Sequence, residues 1–352
     1  MSETKLTPQE RAMRFNKSTR QNLQSMAKQI ITVPYTTMEF QLPKNRYLTN
    51  IFVRVKAKVK VKHANGTALP IDAMTPYKIV RQYVLDLNNG FKPFAIGGDS
   101  LAILNLVQPK ANALLEMSDY YDCPAEFKSS SAGTENEFAF TVQLPVTLNE
   151  RDFVGILMLQ SEQLTAHLRL DIGSGADMFD KVPEGYTFEL VSVTAQPTLE
   201  TFSIPADVNA RPDISMLKIC NDRHETLTSA GDQIVKLTCN QIYRKLALYI
   251  TDEDGKPVSD EWFTSNLQLI FNEVDCNYNI NAEFLRAKNA YDLGHAIPEG
   301  VFIFDFSNQG MPNFGNSRDF IDSKGLTEFW IKFNSQTKGK VKIITETLSR
   351  LV

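Results

Sequence analysis

The stretch "YLTNIFVRVKAKVKVKH", residues 47–63, alternates a basic side chain with a small apolar one from Arg54 to Lys62. A helix would scatter the two sets around its axis, whereas a strand sends successive side chains to opposite faces. Val53, Val55, Ala57, Val59 and Val61 then line one face, and Arg54, Lys56, Lys58, Lys60 and Lys62 line the other. The spacing predicts a long strand with one core face and one basic face, in a chain whose net charge is -4.

Outward from that strand the period stays near two. "YTTMEFQLP" precedes it, and "IVRQYVLDLN", "EFAFTVQLPVTL", "DFVGILMLQ", "LTAHLRLDIG" and "YTFELVSVTAQPTLETFSI" follow, separated by Gly, Pro, Asn and Asp clusters such as "NNG" at 88–90 and "GSG" at 173–175. One helical insertion is expected in "GDSLAILNLVQPKANALLEM" through Leu101, Leu104, Leu114 and Leu115. Residues 203–232 hold two prolines in a polar run and read as a connection, with a boundary near residue 206. Beyond it the alternation resumes in "DQIVKLTCN", "YRKLALYITDEDGKPV", "LQLIFNEV", "GVFIFDFSNQG", "LTEFWIKFNS" and "GKVKIITETL", with a helix in "NAEFLRAKNAYDLG".

The two halves echo each other. "QLPKNRYLTNIFVRV" at 41–55 and "KLTCNQIYRKLALYI" at 236–250 share a short strand, a polar turn and a longer alternating strand. "VGILMLQ" at 154–160 and "GVFIFDF" at 300–306 are read as a second matching pair. The expectation is an all-β chain of two tandem eight-stranded jelly rolls, 31–205 and 206–352, because a jelly roll is a common way to bury about eight antiparallel strands.

Before the first strand, "TPQERAMRFNKSTRQNLQSMAKQI", residues 7–30, reads as one helix: Thr7 as N-cap, Pro8 at the first helical position and Glu10 completing a capping box. Its charge is lopsided, with Arg11, Arg14, Lys17, Arg20 and Lys28 against Glu10, while Met13, Phe15, Leu23, Met26 and Ile30 are apolar. Residues 1–30 are therefore expected to form a basic amphipathic arm, fit for an anionic membrane surface or a partner; the plainer alternative is a terminal helix packed on its own domain.

Composition bounds the function. With 43% hydrophobic residues and 22 Phe the chain can bury packed interiors, and a sequence pI near 5.7 offers no global positive field for a polyanion. Direct sequence-specific binding of nucleic acid is not expected. Cys123, Cys220, Cys239 and Cys276 lie far apart with no C-x-x-C pair, so free thiols in a reducing cytosol are expected rather than zinc or a disulfide framework. Arg11 to Arg20 occupy the place of a signal peptide's apolar run, and no stretch reaches 18 apolar residues, so neither secretion by that route nor a transmembrane helix is expected.

No motif points to catalysis, a metal or a cofactor. His167, Arg169 and Asp171 share a strand face, which without a nucleophile reads as the polar side of a half-buried strand. "TDEDGKPVSDEW" at 251–262 lacks the ligand spacing of a calcium loop and reads as a hairpin at Asp254 and Gly255. "GGDS" at 97–100 lacks the lysine of a phosphate loop. The chain is expected not to be an enzyme.

Taken together, the arm "RAMRFNKSTRQNLQSMAKQI" leading into "VPYTTMEFQLPKNRYLTNIFVRV", the following "PYKIVRQYVLDLNNG", "AIPEGVFIFDFS" and the closing "KVKIITETLSRLV" resemble the double jelly-roll major capsid proteins of tailless, membrane-containing phages, the tectiviruses. The resemblance spans nearly the whole chain and rests on order and hydrophobicity rather than on a sharp motif. It implies a homotrimer of pseudo-hexagonal outline that tiles an icosahedral virion shell, assembled in the host cytoplasm, over an internal lipid membrane, with vertex and minor capsid proteins as further partners. It also implies that the N-terminal helix points inward, with Arg11, Arg14, Lys17, Arg20 and Lys28 toward the headgroups.

Arg54, Lys56, Lys58, Lys60 and Lys62 would then meet acidic neighbours at a subunit interface or face the shell interior; a lysine-decorated edge that blocks stray strand pairing is the competing explanation. The rival function is a phage receptor-binding or carbohydrate-binding β-module using Trp262 and Trp330 as platforms.

Overall fold

The computed structural model describes residues 8–44, 46–88, 90–107, 121–148, 154–160, 165–212, 214–272, 275–307 and 320–350. Helix α1 spans Pro8–Ser18. The first half then supplies β1 (Gln21–Ser25), β2 (Gln29–Ile31), β3 (Thr37–Gln41), β4 (Tyr47–His63), β5 (Val80–Leu87), β6 (Phe91–Ile96), helix α2 (Gly98–Leu106), β7 (Thr134–Pro145), β8 (Ala166–Ile172) and β9 (Tyr186–Phe202). The second half supplies β10 (Met216–Leu227), β11 (Gly231–Lys236), β12 (Ile242–Asp252), β13 (Leu267–Phe271), β14 (Asp275–Ile280), helix α3 (Ala282–Leu293), β15 (Val301–Asp305), β16 (Phe329–Ser335) and β17 (Gly339–Arg350).

Strand order identifies the architecture. In the first half one sheet runs β1/β2-β9-β4-β7 and the facing sheet β3-β8-β5-β6. In the second the orders are β10-β17-β12-β15 and β11-β16-β13-β14. Counting β1 and β2 as one interrupted strand, each half has eight main strands in the same sequence of positions: first, eighth, third, sixth in one sheet and second, seventh, fourth, fifth in the other. That is the jelly-roll order, executed twice. In both rolls a helix, α2 or α3, fills the crossing from the fifth strand to the sixth.

The rolls are joined edge to edge. β6 and β10 pair in parallel through Phe94–Cys220 and Ala95–Asn221, so one sheet of each roll continues into the other. All main strands therefore share one axis. The end where β4, β10 and β12 begin and β9 and β17 finish is called the base, and the opposite end the top.

Two cores follow from the alternation. Val53, Val55, Ala57, Val59 and Val61 of β4 are buried in the first, as their spacing predicts, and Leu246, Leu248 and Ile250 of β12 are buried in the second. The first core also reaches across the joint, where α2 lies against Ala247, Tyr249 and Ile344 on the outer face of the second roll.

Four expectations need correction. Residues 203–232, read as a connection, contain β10, which pairs along its length with β17. The helix predicted over 7–30 ends at Ser18, and residues 21–31 are strand, paired from Gln21–Phe202 to Ile31–Val193 along β9. Leu23, Met26 and Ile30 mimic a helical stripe, but the open edge of β9 offers a ladder of hydrogen bonds that local propensity does not encode. The Thr7 cap lies outside the described residues, as do Leu114 and Leu115 of the predicted insertion, whose described part is α2.

The third correction concerns the match between 154–160 and 300–306. Leu157 and Met158 pair with Leu48 and Tyr47 at the base of β4, which is the place that Ile321 and Asp322 take on β12. The true counterpart of β15 is β7. The fourth concerns the edge: β4 is flanked by β9 on one side and β7 on the other, so its lysines do not guard an edge.

Candidate assembly surfaces

Two surfaces carry the charges that the sequence singles out, and a third set of charges lies between the rolls. The first is the base. Phe15 is buried there against Tyr47 and Ile156, with Phe202 beside it, and pins α1 to the body; the Phe15 and Tyr47 rings meet edge-on at 6.0 Å. Arg14 lies 3.8 Å from Asp207 on the connection between the rolls. Arg20 donates its backbone N–H to Ser203 at 2.9 Å. Lys17 and Arg20 are exposed and Arg11 half-buried, and Arg211 and Arg350 add positive charge at the same end.

Lys28 does not join this group. It sits between β1 and β2, opposite the middle of β9, about 25 Å up the sheet at 3.4 Å per strand residue. At the top, Asp252, Glu253, Asp254, Asp260 and Glu261 cluster around the hairpin at Gly255 and meet cations of their own, Lys181 at 2.6 Å from Asp254, Lys338 at 3.4 Å from Glu253 and Arg286 at 2.9 Å from Asp260.

The second surface is the basic stripe of β4, on the outer face of the first roll. Its cations meet carboxylates of the same sheet: Lys58 lies 3.1 Å from Glu137 and Lys62 3.5 Å from Glu189, and Lys60 stands in register with both Glu135 and Glu189. Arg54 donates to the Thr141 hydroxyl at 3.2 Å. Lys56, which is exposed, faces Ala139 and Thr194 in register, with no acidic side chain opposite. The basic face in an acidic chain is therefore largely neutralised by its own neighbours, through cross-strand pairing that a single strand's sequence does not reveal.

The third set is internal, and sequence reading missed it. At the joint, Lys218 of β10 and Arg244 and Lys245 of β12 surround Glu346 of β17, all four buried. Arg244 Nε donates to Glu346 Oε1 at 3.0 Å, and Lys218 Nζ lies 3.7 Å from Oε2. The lysines also reach into the first roll, Lys218 to the Thr147 carbonyl and Lys245 to the Val107 carbonyl, each at 2.8 Å. Burial pushes the Glu346 carboxyl up, but Lys218, Lys245 and Arg244 outweigh it and hold it down at about 2. Burial also lowers Lys218, with Glu346 partly restoring it. Lysine and arginine at strand positions otherwise occupied by apolar residues are the signal that the sequence offered.

The set-aside cluster behaves as a paired strand face. His167 lies 2.8 Å from Glu39, Arg169 lies 3.3 Å from Asp86, and Asp171 accepts from the Thr37 hydroxyl at 2.6 Å. Trp262 is buried in the second core, its indole N–H donating to Thr337 at 2.8 Å, and Trp330 is half-buried on β16, so the two form no exposed aromatic platform. Among the described residues no group of three or more His, Cys, Asp or Glu is placed to hold a metal ion, the four cysteines are free thiols, and no helix is long and apolar enough to cross a membrane.

No protein-family model matches the sequence, and no curated protein matches it either. Solved structures do. The STIV MCP superposes with a TM-score of 0.69 at 13% identity, covering 94% of this chain and 97% of that one. The PBCV-1 virus capsid gives 0.63 at 10% identity, covering 94% of each chain. The major capsid protein P2 from Bacteriophage PM2 gives 0.55 at 10% identity, covering 95% of this chain and 98% of that one. These likenesses run from end to end, both rolls included, and they agree with the strand orders derived above: the chain has the double jelly-roll fold of viral major capsid proteins.

Proposed function

We propose that the chain is the major structural subunit of an icosahedral virion, without catalytic activity, and that its work is assembly. Three copies associate into a trimer whose six rolls give a pseudo-hexagonal outline, trimers tile the shell, and vertex and minor capsid proteins complete it in the host cytoplasm. The division near residue 206 separates the two rolls, and residues ahead of them form the arm.

The observation that carries this reading is the repetition of one complete roll on a shared strand axis, in a molecule whose likeness to shell proteins covers their whole length. A prism with upright strands packs side by side. The cationic base gives it a direction: with Arg11, Arg14, Lys17 and Arg20, it faces inward toward an anionic membrane, each cation contributing about 1 kcal/mol near such a surface. Lys28, higher on the side wall, takes less part. Of the basic stripe, Lys56 is the residue left to meet a neighbouring subunit.

Vesicle sedimentation tests the orientation. The full chain is expected to pellet with phosphatidylglycerol vesicles at low salt and to be released by 0.5 M salt, given a Debye length of only about 10 Å already at 0.1 M. Reversing Arg11, Arg14, Lys17 and Arg20 to Glu is expected to abolish pelleting and leave the fold intact. Undiminished pelleting of that variant contradicts the inward base.

A further inference from the structure

The strand order puts two unlike surfaces at the two ends of one continuous sheet, β3-β8-β5-β6-β10-β17-β12-β15. At one end, beside β3, runs the edge formed by β1 and β2, which among the described residues pair only with β9. Their outward N–H and C=O groups are open to a partner, and the edge displays large apolar side chains: Leu23 is 64% exposed and Ile30 65%. In register with Glu200 and Thr194, both point to the outer face of the sheet. Above them Tyr35 is 64% exposed, yet held: it has a φ of 59°, its hydroxyl bonds Ser174 at 3.3 Å, and Arg81 stacks 5.7 Å over its ring. A bulky residue kept at positive φ on the surface is an outlier that packing alone does not require.

At the other end, α3 covers β15. Its inner face buries Ala282, Leu285 and Asn289, while Phe284 and Tyr291, seven residues apart and hence on one side of the helix, are 62% and 87% exposed. The charges are complementary. Between Glu10 and Glu39 the chain has no acidic residue, so the charges carried by the β1–β2 segment itself are Arg20 and Lys28, with Glu200 of β9 behind them bonded to Gln21 and Asn50. On α3, Arg286 is tied to Asp260 at 2.9 Å and Lys288 to Asp292, which leaves Glu283, next to Phe284, as the charge without an ion pair among the described residues.

We infer that copies of this chain associate head to tail, the β1–β2 edge of one copy seating on the α3 face of the next. The contact is heterologous because the two patches differ and lie at opposite ends, so it closes into a ring rather than a twofold dimer when the rotation per copy divides a full turn. Exposed apolar area flanked by polar residues is what such contacts bury. The inference rests on the shell-subunit reading and specifies the contact that would build its trimer.

Sedimentation velocity on the full chain tests it with two double variants, Phe284→Asp/Tyr291→Asp and Leu23→Asp/Ile30→Asp, all at exposed positions, with circular dichroism to verify the fold. The wild type is expected at three copies and each double variant at one. An equimolar mixture of the two variants is expected to give a complex of two copies, since one intact edge can still meet one intact helix face while both outer ends are disabled. Either variant running at the wild-type mass overturns the inference and leaves the shell reading standing; so does a mixture that stays monomeric. A wild type that is monomeric at every concentration and salt overturns the shell reading, and the inference with it.

Discussion

Among the described residues, Glu346 is the carboxylate that faces Lys218, Arg244 and Lys245 at the joint between the rolls, and its ionisation links stability to pH. Its folded value of about 2 lies below the ordinary 4.5, so the charged form is favoured by folding. The stabilisation is fully present above about pH 4.5 and is lost as pH falls toward 2; the shift corresponds to about 3 kcal/mol. Urea unfolding of the wild type is expected to weaken across that window, while Glu346→Gln, which removes the negative charge that Lys218, Lys245 and Arg244 face, is expected to cost about 3–5 kcal/mol at pH 7 and to flatten the acid dependence. By contrast Lys58→Ala removes a pair that is half in solvent, 3.1 Å from Glu137, and is expected to lower stability by less than about 1 kcal/mol in a thermal melt. The five basic residues of β4 were legible from the sequence as one face; their partners Glu135, Glu137 and Glu189 were not, because register between strands 70 to 130 positions apart is set by the sheet as a whole.

At the scale of elements, α1 has one buried side chain among its described residues. Phe15 is its buried anchor, and burying a phenylalanine contributes about 1.5–3 kcal/mol. Phe15→Ala is expected to leave the rolls folded and to speed tryptic cleavage at Lys17 and Arg20 at least about tenfold, read by mass spectrometry. Helix α2 depends on a glycine. A Cβ at Gly98 would stand 2.1 Å from the Tyr77 carbonyl oxygen and 2.6 Å from that of Val80, both backbone atoms that cannot step aside cheaply. Gly98→Ala is therefore expected to cost on the order of 3 kcal/mol or more, or to prevent soluble folding, whereas Gly90→Ala, with nothing within 4 Å, is expected to fold normally. Most strands and α3 announced themselves: alternation marked β4, β8 and β16, and Asn281, which accepts from the Glu283 and Phe284 N–H groups, with Gly294 at φ 74°, bracketed α3. The strand at 21–31 did not, since "QNLQSMAKQI" is made of good helix formers and the edge of β9 overrode them.

Across the whole molecule, the recurrence of a short strand, a turn and a long strand at 41–55 and 236–250 made the duplication visible, and it falls on β3–β4 and β11–β12, equivalent positions of the two rolls. What stayed hidden was the joint: neither the parallel pairing of β6 with β10 nor the seating of α2 on the second roll follows from any local pattern, because both arise from packing two finished rolls together. The same joint runs one sheet of each roll into the other and leaves a cationic base, an arrangement suited to standing side by side in a shell. The most direct test is the native mass of the purified full chain by light scattering, with negative-stain electron microscopy of the same sample, across protein concentration, salt and added anionic vesicles. The account predicts particles of three copies with a six-lobed outline that go on to form sheets or shells, and single copies under every one of those conditions would contradict it.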